Sequence, residues 1–419
     1  MINFDKFELS NGLKVIVHHD NSTPIVAMNI IYKVGARDES VRRTGFAHLF
    51  EHLMFGGSVN IPKYDTPLEK AGGENNAFTN SDFTNYYLTL PKNNLEIAFW
   101  MESDRMLDLA FSPKSLEVQR QVVIEEFKQN YLNQPFGDVY LLLKPLAYKK
   151  HPYRWNTIGK DIKHIESATM EHVKSFYKKY YNPNNAILTI AGDVSTDEIK
   201  KLTEKWFGPI PGGKEIIRNY PTEPVQTAPR KKTVNRNVSQ NALYMAWHMP
   251  KRTDIGFYHC DLISDILSNG NSSRLFRKLV KDKEIFSDIN AYVSGDIDEG
   301  LFIVSGKLLN GIKMKDAIAA VKKEFALISN ELVDEIDFEK VKNKMEANMI
   351  FSKISVLSKA MNLGYYELIG DAQMWDKELD IYRSISREDI MNTASEIFQP
   401  NNLNTLIYNK LKQTNDSKH

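Results

Sequence analysis

Cysteine is almost absent from this chain of 419 residues, and Cys260 is the single one. An internal disulfide is therefore excluded, and we expect Cys260 to be a small core residue. No apolar run approaches the ~20 residues that a membrane-spanning helix needs, and Met1 to Lys6 lack the apolar core of a secretory signal. We therefore expect no membrane span and a cytoplasmic protein, or a periplasmic one if a signal peptide has been removed.

A dominant charge of either sign is also missing. Lys and Arg number 54, Asp and Glu number 53, and the net charge at pH 7 is +1. Because nucleic-acid-binding surfaces are strongly basic, we expect no nucleic-acid partner. Hydrophobic residues make up 42% of the chain, which is enough for two or more ordinary cores.

An internal repeat predicts the architecture. A capped helix beginning at Thr169, a Pro-Asn-Asn turn and an apolar strand ending at Ile190 recur, 217 residues later, from Ser386 to Ile407. The chain therefore reads as a tandem duplication of one domain. Strands followed by amphipathic helices predict an α+β fold, with helices on one face of a mainly antiparallel sheet.

A segment rich in proline and glycine, residues 208–229, has the composition of a linker between the two copies. We expect an N-terminal domain over residues 1–215 that carries the chemistry. A homologous C-terminal domain, without a metal site, is expected over residues 216–419.

One pentapeptide carries most of the chemical information, His48-Leu49-Phe50-Glu51-His52. Residues three and four apart lie on the same face of a helix, so His48 and His52 can bind one ion while Glu51 lies beside it. Zinc is the expected ion, one per chain, because it takes imidazole and carboxylate ligands and leaves a position open for water. Zinc activates water as a Lewis acid, and Glu51 would accept the proton as general base.

A third ligand is expected from the stretch after Ser112. Ser112-Pro113 is a strong helix start, and the predicted helix continues through two adjacent glutamates, Glu125 and Glu126. The two side chains point about 100° apart, so only one can be the ligand. Glu126 shares a face with an apolar stripe that we expect to pack inward, formed with Gln119, Val122 and Val123.

Several motifs together resemble one family, the inverzincin peptidases typified by pitrilysin, insulin-degrading enzyme and the mitochondrial processing peptidase. The resemblance covers nearly the whole chain. The segments that carry it most clearly are residues 9–15, 34–39, 45–52, 72–79, 85–87, 102–106 and 120–126. The resemblance implies a zinc endopeptidase that encloses peptides or unfolded polypeptides in a clamshell chamber built from four such domains. It also places the metal-binding glutamate on Glu126.

Substrate recognition is expected at the segment that contains Phe78. This segment precedes an alternating strand, residues 85–90, and an exposed strand edge can bind a peptide through backbone hydrogen bonds. The resemblance suggests Asn76, Ala77 and Phe78 as the substrate contacts. The alternative is a hairpin with a structural role alone.

The chain departs from the family at two places. Gln119 replaces a second glutamate that many members carry. Val280 and Ser287 stand where self-sufficient members have an arginine and a tyrosine that polarise the scissile carbonyl. We therefore expect a heterodimer with a paralogous subunit that supplies the arginine and the tyrosine. A homodimer in which Arg274, Arg277 or another local donor substitutes is the alternative.

Two other functions are alternatives to the peptidase. A metal-dependent hydrolase of non-peptide amides would not need a strand edge for its substrate. A non-catalytic structural or assembly subunit would be expected to have a degraded metal motif, whereas this one is intact. His151 and His259 are expected to be structural, packing near the site and in the core of the second half respectively.

Overall fold

The computed structural model describes residues 2–411. Its strands are β1 Asp5–Glu8, β2 Lys14–His19, β3 Ile25–Tyr32, β4 Glu74–Thr79, β5 Thr84–Pro91, β6 Ala186–Gly192, β7 Arg230–Arg236, β8 Ala242–Met249, β9 Phe286–Val293, β10 Gly300–Leu308 and β11 Leu403–Lys410. Across these residues, none of the helices combines the length and the apolar character that crossing a membrane requires.

The helices separate and flank these strands. They are α1 Phe46–Leu53, α2 Asp65–Lys70, α3 Leu95–Leu107, α4 Pro113–Phe127, α5 Val139–Ala147, α6 Lys163–Glu166, α7 Met170–Tyr180, α8 Thr196–Trp206, α9 Ile255–Ser268, α10 Met314–Asn330, α11 Glu335–Ser352, α12 Val356–Ile369, α13 Met374–Ser384 and α14 Arg387–Ile397. Two π-helical segments occur at Lys128–Leu132 and Phe276–Asp282.

The chain forms two compact units, and each contains a segment from the opposite half of the sequence. Among the described residues, the first unit consists of residues 2–129, 155–221 and 348–379, and the second of residues 130–154, 222–347 and 380–411. Residues 211–227, within the predicted linker, contain no helix or strand. The predicted boundary near residue 215 describes the sequence repeats and stays a prediction.

The first unit is built on a six-stranded sheet in the order β1-β2-β6-β3-β5-β4. All neighbouring strands are antiparallel except β2 and β6. The strand β4 forms an edge, because it pairs only with β5. The strands β1 and β2 form an antiparallel hairpin across residues 9–13.

Helices cover both faces of this sheet, not one face as predicted, because α12 from the second half of the chain packs on the second face. On one face the aromatic ring of Phe50, in α1, stacks on Tyr181 with 5.2 Å between centroids, and Tyr181 lies 4.6 Å from Tyr32 of β3. The opposite face packs against α12, where Ala360 lies in one buried cluster with Ala27 of β3. Side chains of a strand alternate between the two faces of a sheet, so successive residues of β3 pack against the helices on one face and then on the other.

The second unit contains a five-stranded sheet in the order β7-β11-β8-β10-β9. Helix α5 packs on its strands β7, β8 and β11, and α9, α10 and α14 complete the unit. Aromatic rings fill part of the core, with Trp247 stacked on Phe325 at 5.0 Å and Phe398 at 4.5 Å from Phe325. Cys260 is fully buried in α9, as expected.

The predicted duplication and the α+β class are confirmed. Thr169 and Ser386 both cap their helices, α7 and α14, through side chains that accept backbone N–H bonds. A 3-10 turn follows in each copy, at Pro183–Asn185 and Pro400–Asn402, and leads into β6 and β11 respectively. The strand orders also agree, with β6 and β11 at corresponding positions in the two sheets.

Candidate metal centre

The predicted histidine helix is present as α1. Leu49 and Phe50 are fully buried and fix the inner face of the helix, which leaves His48 and His52 together on the outer face. Their rings are 4.9 Å apart and nearly perpendicular, at 87°. Their side chains are 14% and 26% exposed.

The second element of the site is α4. Its predicted start is confirmed: the Ser112 hydroxyl accepts the Ser115 N–H at 3.0 Å, and Pro113 occupies the first helical position. The predicted inward stripe is wrong at Val122, which is 43% exposed. The face that packs inward is instead set by Leu116, Val123, Ile124 and Phe127.

The adjacent glutamates have different surroundings. Glu125 is exposed, and its carboxylate pairs with Lys128 at 2.6 Å. Glu126 points toward α1, where its Oε2 lies 3.5 Å from His48 Nε2 and 3.4 Å from His52 Nε2. The structure therefore brings together the three residues that the sequence predicted as ligands, and one donor atom from each lies within 4.8 Å of the others.

This donor set fits a zinc ion. Glu126 Oε2 is buried and has no hydrogen-bond partner, although two imidazole nitrogens face it. The separations of 3.4 and 3.5 Å are too long for charge-assisted hydrogen bonds. Ligand atoms about 2.0–2.1 Å from a tetrahedral ion would be about 3.3 Å apart, so the spacing matches a shared cation better than direct contact.

The protonation states also suit metal binding. Burial lowers the pKa of His48 to about 4, although the negative charge of Glu126 opposes this shift. The imidazole of His52 lowers the pKa of the Glu126 carboxyl, and His48 adds to the effect. Neutral imidazole and ionised carboxylate are the forms that bind a metal.

Glu51 lies next to the metal group but outside it. Burial raises the pKa of its carboxyl, while hydrogen bonding from Thr79 opposes the shift. Thr79 is the last residue of β4 and thus joins the edge strand to α1. The sequence analysis did not single out Thr79, although it lies in a segment that matches the family.

The predicted substrate contacts lie on β4. Asn76 is exposed, and Ala77 and Phe78 are half-buried. Ala77 is paired with Tyr86 of β5, while its N–H donates to the Asn76 Oδ1 at 2.8 Å in an exposed contact. We infer that this N–H faces the unpaired side of the edge strand, where a second strand could accept it.

The other predicted residues lie elsewhere. His151 belongs to the second unit, where its Nε2 is 3.2 Å from Asp298 Oδ2 and its ring packs on Tyr153. His259 is half-buried and hydrogen bonds to Thr393 Oγ1 at 2.8 Å, so it makes a structural contact within the second unit without being fully buried. Within residues 2–411 no second group of metal-ligating side chains converges.

Val280 and Ser287, the two positions at which other members have the arginine and tyrosine that polarise the scissile carbonyl, have different surroundings. Val280 lies in the second π-helical segment, and Ser287 is exposed on β9. The nearby arginines are engaged by carboxylates. Arg274 Nε is 3.1 Å from Glu324 and Arg277 is 2.6 Å from Asp337.

Both halves of the chain match known peptidase domains. Residues 14–158 match the family Insulinase (Peptidase family M16), and residues 167–345 match the Peptidase M16 inactive domain. Together they define a chain with the N-terminal and C-terminal domains of one peptidase class. The chain belongs to the M16 peptidase family.

Its relatives in sequence include proteins named as zinc proteases. The zinc protease PqqE of Helicobacter pylori is 28% identical over 93% of this chain and 89% of its own length. The probable mitochondrial-processing peptidase subunit beta of Schizosaccharomyces pombe is 24% identical over 93% of this chain and 87% of its own.

Solved structures share the fold. A protease from Helicobacter pylori superimposes with a TM-score of 0.92 at 26% identity, covering 97% of this chain and all of that one. The periplasmic protease PqqL of Escherichia coli gives a TM-score of 0.79 at 17% identity, over 97% of this chain but 48% of PqqL. PqqL thus contains about twice the length of this fold in one polypeptide.

Proposed function

We propose that this protein is a zinc-dependent endopeptidase that cleaves peptides or unfolded polypeptides. The observation that carries the proposal is the buried Glu126 Oε2, which has no hydrogen-bond partner and faces the Nε2 atoms of His48 and His52. These three residues would hold one zinc ion per chain. The inactive-domain match covers residues 167–345, whereas the donor set lies before residue 127, so that match does not weaken the assignment.

A zinc ion at this position would supply Lewis-acid activation of water and of the scissile carbonyl. Glu51 would accept a proton as general base and later donate it to the leaving amine. Its neighbour Thr79 holds the carboxylate by hydrogen bonding and so fixes the direction in which it accepts the proton. His48 and His52 would bind the ion through the lone pairs of their Nε2 atoms.

The substrate would bind as an added strand on β4. The residues that would contact it are Asn76, Ala77 and Phe78, whose backbone lies on the unpaired edge. Backbone hydrogen bonds make such binding largely independent of the substrate's side chains. Thr79 ends the same strand and bonds to Glu51, so a peptide on this edge would lie beside the general base. A non-peptide amide would make no use of this edge.

A paralogous subunit would complete the site. Val280 has no side-chain donor, and the uncharged Ser287 hydroxyl already donates to the Lys307 carbonyl at 3.3 Å, so neither matches an arginine or a tyrosine as a donor to a developing oxyanion. Arg274 and Arg277 are bound to Glu324 and Asp337, which disfavours the homodimer in which they substitute. The double length of PqqL supports pairing of two such chains.

Metal analysis combined with peptide digestion tests the proposal. The purified chain should contain about one zinc, lose it to a strong chelator, and regain it on adding zinc. Cleavage of an unstructured peptide should follow the metal content, with the paralogue present if one is encoded. A chain that binds no zinc would refute the metal assignment. A zinc-loaded complex with no cleavage of any unstructured peptide would favour the structural subunit.

A further inference from the structure

The amino terminus of the histidine helix is capped from outside the helix. The residue before α1, Gly45, has no side chain with which to accept the first N–H groups. Its φ of 91° lies in the left-handed region, and a Cβ there would be 2.7 Å from the Ile158 carbonyl oxygen. Space and backbone conformation therefore exclude the usual Ser, Asp or Asn cap.

Glu39 performs the capping instead. Its Oε2 accepts the Gly45 N–H and its Oε1 accepts the Ala47 N–H, both at 2.8 Å. The residue is 8% exposed, and among residues 2–411 no basic side chain forms an ion pair with it. Burial raises the pKa of its carboxyl to about 8, and the N–H groups of Ala47 and Gly45 oppose this shift, as the dipole at this end of α1 favours an anion.

The segment that carries Glu39 is itself held in place. The Trp155 indole N–H donates to the Ala36 carbonyl at 2.8 Å, and Arg37 pairs with Asp82 at 2.9 Å. Asp38 accepts the Gly35 N–H at 3.0 Å. A carboxylate on so constrained a segment has few alternative positions, so the helix end it binds is constrained as well.

We propose that Glu39 is a positioning residue for the metal centre. Its carboxylate fixes the rotation of α1 about its axis, and thereby the direction in which His48 and His52 present their Nε2 atoms to Glu126. The Ala47 N–H that it binds belongs to the residue immediately before His48. This role rests on the proposed zinc site, because it concerns the geometry of that site and not the stability of the fold alone.

Zinc affinity of the full-length chain, without any substrate, tests this role. In Glu39→Gln the side chain keeps its size, but one of its two acceptors becomes an NH₂ group that opposes a helix N–H. We expect the zinc dissociation constant to rise about tenfold, the low end of the effect of lost outer-shell partners. The visible spectrum of the Co²⁺-substituted protein should also change, because it reports ligand geometry.

The control is Glu367→Gln, which alters another buried carboxylate of the first unit, bound by Lys6 and Lys14 instead of by α1. It should lower thermal stability without changing zinc affinity or the cobalt spectrum. If Glu39→Gln does not fold, Glu39→Asp decides, since the shorter carboxylate reaches one N–H at most and should weaken zinc about threefold.

The outcomes separate two failures. Wild-type affinity and an unchanged cobalt spectrum in the folded Glu39 variant would overturn the positioning role while leaving the zinc site intact. Absence of zinc binding in the wild-type chain would instead refute the proposed function, and the positioning role with it.

Discussion

At the scale of single residues, the adjacent glutamates of α4 give the sharpest test of the metal site. Glu126→Gln should weaken zinc binding by more than about 100-fold, because a carboxamide oxygen is a much weaker ligand than a carboxylate. Glu125→Gln should change it little, since Glu125 is exposed and bound to Lys128. Zinc content after dialysis against a weak chelator measures both. Equal loss in the two variants would show that the register is misassigned.

Glu51 should affect catalysis and leave the metal in place. Glu51→Gln removes the base but no ligand, so we expect stoichiometric zinc and a loss of about 10²–10⁴-fold in kcat. His48→Ala or His52→Ala should instead release the ion. The measurement is turnover of an unstructured peptide together with metal content in the same preparation. A Glu51→Gln enzyme with a tenth of normal turnover would exclude Glu51 as the base.

The sequence predicted these residues to different degrees, for a physical reason. His48, Glu51 and His52 lie within one helical turn, so local spacing alone brings them together. The exposure of Val122 depends on what packs against α4, which spacing does not show. Thr79 contacts Glu51 from another secondary structure element, and Glu39 lies outside the helix that it caps, so spacing within α1 shows neither contact.

At the scale of secondary structure elements, β4 has a testable role as an open edge. Ala77→Pro removes the N–H that faces the unpaired side, and proline is tolerated on edge strands. Loss of one backbone hydrogen bond should lower kcat/KM for a peptide about 2–10-fold, with zinc content unchanged. Ala77→Ser, which keeps the N–H, is the control. Equal kinetics in both variants would argue against strand addition at this edge.

Helix α12 is the element whose position the sequence analysis did not predict. Its pattern indicates an amphipathic helix, but the sheet that it covers lies more than 150 residues away in the chain. Small residues decide the fit: a Cβ at Gly364 would approach Thr189 Oγ1 to 3.0 Å. Ion pairs at its ends, Lys359 with Asp20 and Glu367 with Lys6 and Lys14, then fix it on the sheet.

The Glu367 pairs predict how the stability of the first unit depends on pH. Burial opposes ionisation of this carboxyl, but hydrogen bonds from Lys6 and Lys14 outweigh it and lower its pKa below the unfolded value. The stabilisation is therefore present at neutral pH and is lost as the pH falls through the folded-state pKa. Glu367→Gln should lower the free energy of unfolding by about 1–2 kcal/mol at pH 7.

Urea unfolding at pH 7 and at pH 4 measures this dependence. The difference between wild type and Glu367→Gln should shrink at the lower pH, because below its ordinary pKa of 4.5 the carboxyl takes up a proton in the unfolded state more readily than in the folded state. Salt should reduce the difference at pH 7, since Lys6 and Lys14 are about 40% exposed. A difference that is the same at both pH values would show that packing, and not charge, accounts for the effect.

At the scale of the whole molecule, the duplication of the fold was visible in sequence because each copy repeats a capped helix, a turn and a strand. The composition of the two compact units was not visible. Residues 130–154 pack with the second sheet and residues 348–379 with the first, which no local pattern encodes. The metal site was not duplicated with the fold. Helix α9 follows β8 as α1 follows β3, but α9 contains a single histidine, and no carboxylate joins it to form a metal-ligating group among the described residues.

The second half of the chain lacks the arginine and the tyrosine that would polarise the scissile carbonyl, and this absence predicts a partner that supplies them. If a paralogue supplies an arginine and a tyrosine as oxyanion donors, adding it in equimolar amount should raise kcat at least about 100-fold, the usual value of one such donor. Native mass spectrometry should show a one-to-one complex, and zinc should remain with the present chain. Replacing the paralogue's arginine by alanine should abolish the gain, whereas Arg274→Ala and Arg277→Ala here should not affect catalysis. Full activity of the chain alone, lost in either of these two variants, would establish the homodimer instead.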